Sequence, residues 1–224
     1  MAKLPRPSFR KGKPPLPSNR IFEGSCLDIL RTFPDCCFDS VVTDPPYGLG
    51  NKEPSVDEII AFLQGADLDT GGDFMHSAWE VPSVPVWREL HRVLKPGGHV
   101  LAFGGSRTWD LISLGARAAG FQYRDTLPDV FPDMPGFMWL NAQGRAKMTS
   151  PSKKAGNAWE GWDTALKPSW EPILLFRKPP EGTVAENLVR WGTGALNIDG
   201  TRVFTDWNEK PTGHNNHVFT LRVF

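Results

Sequence analysis

Four consecutive residues, Asp44, Pro45, Pro46 and Tyr47, combine groups that could act together on one small planar ring. The carboxylate accepts hydrogen bonds, the peptide carbonyl of Pro45 adds a second acceptor, and the tyrosine offers an aromatic face for stacking. Each proline ring holds its own backbone φ at roughly −65°. These four residues, which we call the tetrad, therefore offer two acceptors and a ring in a preorganised arrangement.

This arrangement suits the transfer of a methyl group to an exocyclic amino group of a planar π system. Such a nitrogen is a poor nucleophile because its lone pair is delocalised into the ring. Acceptors aimed at its two hydrogens favour the pyramidal geometry in which the lone pair becomes available. The alternative interpretation is an ordinary turn at the end of a strand, in which Asp44 caps a neighbouring amide.

The residues on either side predict a strand that ends at the tetrad. Val41, Val42 and Thr43 form a β-branched run that is typical of a buried strand. The prolines end it, because neither can donate a backbone N–H to a sheet. Gly48 and Gly50 predict a mobile loop beyond. Ligands bind at the carboxyl ends of strands in open α/β sheets, so we expect a site here.

Hydrophobic periodicity predicts strands that alternate with helices along most of the chain. The predicted helices cover residues 26–32, 55–64, 83–94 and 107–119, and the predicted strands cover 20–24, 41–43, 99–103, 123–131 and 172–176. Ser55 and Glu58 have the spacing of a capping box, and Ser83 and Ser106 are expected to begin the next two helices. Residues 95–98 predict a turn. The alternation implies a mainly parallel, covered sheet.

Nucleic-acid contact has to depend on local charge, because the formal net charge is +0. The first 20 residues are basic, rich in proline and free of acids. This arm suits contacts with phosphates, and it is equally typical of a disordered tail. Within it we predict that Arg10, Lys11 and Lys13 contact phosphates.

A second basic cluster lies in residues 132–170, where the periodicity fails. Its lysines and arginine interleave with tryptophans, as in surfaces that touch phosphates and stack on bases. The alternative is a Gly/Pro loop whose tryptophans pack on the sheet. The predicted nucleic-acid contacts are Trp139, Arg145, Lys147, Lys153, Lys154 and Trp159.

Several classes of function find no support in the sequence. Three cysteines, at positions 26, 36 and 37, are too few and too close together for a disulfide framework or a zinc site. None follows a proline, so the nucleophile of a cytosine-C5 methyltransferase is absent. No apolar run approaches the length of a membrane span. With no phosphate loop and no Ser/His/Asp arrangement, an ATP-driven or hydrolytic enzyme has no support. The few cysteines fit a reduced, cytoplasmic setting, and we expect no metal site and no membrane segment.

The tetrad with Gly48, preceded by Val-Val-Thr and followed by Lys95-Pro96-Gly97-Gly98, resembles the DNA amino-methyltransferases that modify adenine N6 or cytosine N4. The resemblance is closest to the phage and bacterial branch in which this motif lies near the N-terminus, and it includes residues 166–172 and 192–199. It implies a Rossmann-like α/β fold, S-adenosylmethionine as methyl donor and double-stranded DNA as substrate. Asp before Pro-Pro favours adenine N6 over cytosine N4 as the methylated group. The resemblance assigns catalysis to Asp44, Pro45, Pro46 and Tyr47, and cofactor contacts to Gly24, Ser25 and Asp44.

The sequence departs from this branch at the methyl-donor side. The branch carries an Asp-Pro-Phe-x-Gly-x-Gly loop for S-adenosylmethionine, which is absent here, and the printed chain ends at Phe224 where relatives would continue. Ser25 stands where the family has an acid. We therefore expect a methyltransferase sheet with helices on both faces that is incomplete at the cofactor side. Activity is expected to appear on adding a fragment or partner that carries the missing half. The expected partners besides DNA are a complementary methyltransferase fragment or a second copy in a homodimer.

Two alternatives from other classes stay open. One is a catalytically silent remnant that binds DNA or a partner methyltransferase. The other is a methyltransferase of protein amides, although that chemistry goes with Asn rather than Asp before Pro-Pro-Tyr. The expected organisation is a basic Pro-rich arm (1–19), a catalytic core (20–131), a target-recognition insertion (132–170), and a last core strand with a tail (171–224).

Overall fold

The computed structural model describes residues 19–50, 52–71, 80–128 and 172–198, which form five helices and four strands. In chain order these are α1 (Cys26–Thr32), β1 (Phe38–Thr43), α2 (Val56–Gln64), α3 (Val84–Val93), β2 (Leu94–Phe103), α4 (Trp109–Ala118), β3 (Gln122–Pro128), β4 (Pro172–Arg177) and α5 (Val184–Trp191). The predicted α/β class is confirmed.

The four strands form one mixed sheet in the order β1-β2-β4-β3. β1 and β2 are parallel, whereas β4 is antiparallel to both of its neighbours. Consequently β1, β2 and β3 all run in one direction, as expected for strands joined through helices. The prediction of a mainly parallel sheet is wrong for the pairing, because β4 enters between β2 and β3 from the opposite direction.

Three helices cover one face of the sheet with a single apolar core. Trp87 of α3 is completely buried, and its ring packs edge-on against Phe121 and Phe176. Phe62 of α2 and Ile112 of α4 join the same core. Because side chains alternate along a strand, the opposite face of the sheet carries Leu101, Leu175 and Arg177.

Local end signals explain why α2 and α3 form where they do. Ser55 and Glu58 make the predicted capping box, and Gly65 ends α2 in the left-handed conformation with φ 113°. Ser83 precedes α3, whose first turn contains Pro85, although the Ser83 hydroxyl makes no capping hydrogen bond. Both helices are confirmed to within a residue or two.

Some predicted boundaries are wrong. Residues 20–24 form no strand, because no described strand lies beside them, and Ile21 is fully exposed. Residues 95–98 belong to β2 instead of a turn. The next helix begins after Thr108 rather than at Ser106, because Gly105 first closes a turn with its carbonyl. Strand β1 is half-buried instead of buried, with Val42 58% exposed.

Helix α5 was not predicted, although its sequence carries the signal for it. Thr183 and Glu186 form a capping box, and Gly192 ends the helix with φ 74°. Asn187 of α5 is fully buried and donates to the carbonyls of Pro96 (3.0 Å) and Thr193 (2.7 Å). These hydrogen bonds hold α5 against the beginning of β2.

Gly97 shows how closely α5 and β2 approach each other. Its φ is 76°, and an added Cβ would overlap the side-chain nitrogen of Asn187 and lie 2.8 Å from the Cα of Gly194. Only glycine meets both requirements. The Gly192-Thr193-Gly194 segment therefore serves packing here.

Within the described ranges, no helix is long and apolar enough to cross a membrane.

Candidate active site

The tetrad lies where the sequence predicts it, directly after β1. Thr43, the last residue of β1, pairs with Ala102 of the parallel strand β2. Asp44 is exposed, Pro45 is buried, and Tyr47 is half-buried. The carboxylate of Asp44 makes no hydrogen bond to a backbone amide in the part of the chain that the structure describes. The alternative interpretation of Asp44 as a turn cap is therefore not supported.

The loop after the neighbouring strand forms one wall of the site. Gly104 and Gly105 follow β2, so they lie at the same edge of the sheet as the tetrad. An added Cβ at Gly105 would lie 2.9 Å from Cδ2 of Leu49 and 3.4 Å from Cβ of Tyr47. A side chain at position 105 would overlap Leu49 and touch Tyr47, so the glycine lets the two loops meet.

A second wall forms behind Gly48. This residue is buried, with φ 61°, and an added Cβ would lie 3.0 Å from Cγ1 of Val81 and 3.4 Å from Oγ1 of Thr70. Gly48, where the sequence predicts a mobile loop, is thus packed against neighbouring residues. The chain packs here because Val81, only 3% exposed, covers the glycine.

Charged side chains hold the segment that follows the tetrad. Lys52 donates to Glu58 at 2.6 Å and to Asp69 at 3.3 Å, and its backbone N–H donates to the carbonyl of Thr70 at 3.0 Å. The hydrogen bond from Lys52, with those from Ser55, lowers the pKa of Glu58 to about 2. Both acids also raise the pKa of Lys52. These contacts tie the beginning of α2 to the residues around Thr70.

The predicted cofactor residues Gly24 and Ser25 lie at the start of α1. Ser25 is the N-cap, and its hydroxyl accepts from the backbone N–H of Asp28 at 3.5 Å. Gly24 has φ 141°, with only the side chain of Ile29 near an added Cβ. No hydrogen bond joins Ser25 to Asp44 among the described residues, and the role of both in binding the cofactor stays a prediction.

All of the predicted nucleic-acid contacts lie outside the described residues. These are Arg10, Lys11, Lys13, Trp139, Arg145, Lys147, Lys153, Lys154 and Trp159. They stay predictions. Across the four described ranges, no group of three His, Cys, Asp or Glu side chains could hold a metal ion.

Sequence reasoning missed Thr70 and Val81, which pack behind the tetrad. They follow Tyr47 by more than twenty positions and belong to no helix or strand. Periodicity cannot indicate such a contact, because it arises only when the tertiary structure is complete. The glycine pair Gly104-Gly105 after β2 is a signal that could have indicated the close approach of the two loops, because glycine in such a position permits close backbone approach.

Known proteins similar to this chain are methylases. The family described as DNA methylase matches residues 38–216. The type II methyltransferase M.HindIII of Haemophilus influenzae is 32% identical over 141 residues, which is 60% of this chain and 43% of that protein. YubD of Escherichia coli K12, named as a methylase, is 29% identical over 103 residues, or 46% of this chain and 39% of that protein.

Among solved structures, TTHA0409 of Thermus thermophilus, named as a DNA modification methylase and complexed with S-adenosyl-L-methionine, is 22% identical with a TM-score of 0.39. The match covers 71% of this chain and 55% of TTHA0409. The chain spans about two fifths of the length of the curated relatives it matches. Because the family match extends over most of the chain and includes the tetrad, the chain belongs to the DNA methylase family.

Proposed function

We propose that this chain holds the target base of a site-specific DNA methyltransferase, for transfer of a methyl group from S-adenosylmethionine to the amino group of adenine (N6) or cytosine (N4). The observation that carries the proposal is the position of the tetrad. Asp44 is exposed at the carboxyl end of β1, and Tyr47 is held beside the loop of the adjacent strand. Asp in the first position of the tetrad favours adenine.

The tetrad acts on a base that has left the double helix, because an amino group cannot be reached inside the stacked duplex. Tyr47 stacks on the face of the extruded base. The carboxylate of Asp44 and the carbonyl of Pro45 accept hydrogen bonds from the two amino hydrogens. This draws the nitrogen toward a pyramidal geometry and makes its lone pair available. Pro45 is buried, so its carbonyl is held in a fixed place.

S-adenosylmethionine, when bound, supplies an electrophilic methyl group on a sulfonium. The described residues fit the amino group better than this donor. Ser25 carries no charge and already caps α1, and the printed sequence holds no Asp-Pro-Phe-x-Gly-x-Gly loop. We propose that this loop comes from a complementary methyltransferase segment, and that duplex DNA is the substrate.

The outermost strand of the described sheet, which ends at the tetrad, supports the proposal of an added segment. β1 is an edge strand in the described sheet, and Val42 on it is 58% exposed. An exposed edge strand with an apolar side chain can accept a further strand through backbone hydrogen bonds. A strand added here would end beside Asp44, where a donor has to lie within reach of the amino nitrogen.

The proposal is tested by calorimetric titration of S-adenosylmethionine and by transfer of a tritiated methyl group to duplex DNA. The 224-residue chain alone is expected to bind the donor weakly and to transfer little or no label. A fragment that carries the Asp-Pro-Phe-x-Gly-x-Gly loop should restore transfer, and Asp44→Ala should abolish the restored activity. Robust turnover by the chain alone would contradict the proposed need for a second segment.

The second candidate function is a silent remnant that binds DNA or a methyltransferase without transferring a methyl group. The uncharged Ser25, which caps α1 where the family has an acid, favours it. It predicts DNA binding that the complementing fragment does not convert into methyl transfer. Transfer in the complemented mixture that is lost with Asp44→Ala would exclude this candidate.

A further inference from the structure

Thr70 and Glu80 form a hydrogen-bonded pair behind the tetrad. The backbone N–H of Thr70 donates to Oε2 of Glu80 at 3.1 Å, and the Thr70 hydroxyl donates to the same oxygen. Thr70 is only 2% exposed. One carboxylate oxygen thus joins residue 70 to residue 80, and the next residue, Val81, covers Gly48.

We infer that Thr70 and Glu80 are positioning residues that fix the ring of Tyr47 through Gly48. The consequence for substrate binding depends on the proposed function, whereas the positioning itself does not. No sequence motif marks either residue, and neither has been assigned a role by the resemblance to methyltransferases.

Packing transmits the effect to Tyr47. Gly48 contacts Thr70 and Val81, as the 3.4 Å and 3.0 Å approaches of an added Cβ show. Gly105 in turn lies close to Leu49 and Tyr47. Residues 47–49 therefore pack against both the loop after β2 and the Thr70–Glu80 pair. Releasing the pair removes one of these two contacts and lets the backbone beside Tyr47 move.

The chemistry of the pair explains why it should hold this segment firmly. Hydrogen bonds to a carboxylate are stronger than bonds between neutral groups. A buried hydroxyl that loses its partner also keeps the full cost of its desolvation. Because Thr70 is buried, its side chain has a strong preference for the arrangement in which Glu80, and with it Val81, lies beside Gly48.

The two tyrosines of the chain make the inference testable without substrate. Fluorotyrosine labelling gives one ¹⁹F signal for Tyr47 and one for Tyr123, which lies on β3 against Phe176 and shares a hydrogen bond with Thr126. Thr70→Val should shift or broaden the Tyr47 signal and leave the Tyr123 signal unchanged. Thr70→Ser, which keeps the hydroxyl, should leave both signals near their original positions.

Thr126→Val is the matched control, because it also removes a hydroxyl but should move only the Tyr123 signal. If Thr70→Val fails to fold, both signals change. The Glu80→Gln variant then replaces it as the test of the positioning role. Its amide oxygen still accepts, but without the charge, so a smaller shift of Tyr47 alone is expected. An unchanged Tyr47 signal in folded Thr70→Val, or in Glu80→Gln where that variant has to decide, would overturn the inference.

The substrate consequence is measured separately, with duplex DNA that carries 2-aminopurine at the target position. Loss of ordered stacking on Tyr47 should weaken binding of the extruded base by roughly tenfold in Thr70→Val, within the range known for base–aromatic stacking. A changed ¹⁹F signal without any effect on extrusion would support the positioning role and count against the proposed function. An unchanged ¹⁹F signal overturns the positioning role whatever the DNA does.

Discussion

His99 should make the stability of this fold depend on pH. The side chain lies on β2 beside Arg177 of β4 and is 8% exposed. Burial, with the positive charges of Arg177 and Arg124, lowers the pKa of His99 from 6.5 to about 4. The unfolded chain therefore takes up a proton near pH 6.5, whereas the folded protein does not until about pH 4. The contribution of neutral His99 to the free energy of unfolding is therefore fully present above pH 6.5, and it is lost as the pH decreases toward 4.

The size of this effect follows from the two pKa values. Each unit of pKa difference corresponds to about 1.4 kcal/mol between protonation states, so lowering the pH from about 7 to about 5 should cost the folded state about 2 kcal/mol through His99. The measurement is urea unfolding at these two pH values, followed by tryptophan fluorescence. His99→Gln should lose about 2 kcal/mol less than the unchanged protein over this interval.

His91 has to be controlled for in the same experiment. Burial and the nearby charge of Lys178 also lower the pKa of His91, so it adds a slope of the same sign. The His91→Gln variant should therefore keep the pH-dependent loss of stability that His99 causes. If His99→Gln loses as much stability over the same pH interval as the unchanged protein does, His99 is not buried as a neutral group and the reasoning is wrong.

Two further predictions concern Gly97 and the N-terminal arm. Gly97→Ala should lower the free energy of unfolding by about 2–4 kcal/mol, because it combines an unfavourable φ with overlap against Asn187. The control is Gly65→Ala, which has a positive φ but no contact closer than 3.9 Å, so its free energy of unfolding should fall by only about 1–2 kcal/mol. Equal losses for the two variants in urea unfolding would refute the overlap. Removing residues 1–18 should flatten the plot of log DNA affinity against log salt by roughly 2–3 units, if Arg10, Lys11 and Lys13 contact phosphates. An unchanged slope would reduce the arm to a tail without a role in binding.

Features with strong local signals could be predicted from the sequence. The prolines after Thr43 end β1 whatever surrounds them, and the capping box at Ser55 and Glu58 appears as expected. The position of the tetrad at a sheet edge followed from the same signals. The pattern around Thr183 and Glu186 carries the same kind of local signal, because it also forms a capping box and is followed by a glycine that ends the helix.

Features that depend on a distant partner could not be predicted. Residues 20–24 have strand-like composition, yet a strand forms only when another strand offers hydrogen bonds. Periodicity carries no direction, so it could not indicate that β4 runs opposite to β2. The pairing of Thr70 with Glu80 joins two loop positions by tertiary contact alone. The same limit hid the packing of Val81 against Gly48.

The pairing of β3 with β4 has a consequence for how this protein can change. Pro128 and Pro172 are register partners at the ends of these strands, so the chain leaves the sheet and returns to it at directly opposed positions. The entropy of closing a loop grows only with the logarithm of its length, by about 0.6 kcal/mol for each doubling. The closure entropy alone therefore sets little limit on the number of residues between Pro128 and Pro172. A chain built in this way could acquire a different intervening segment while the tetrad keeps its place.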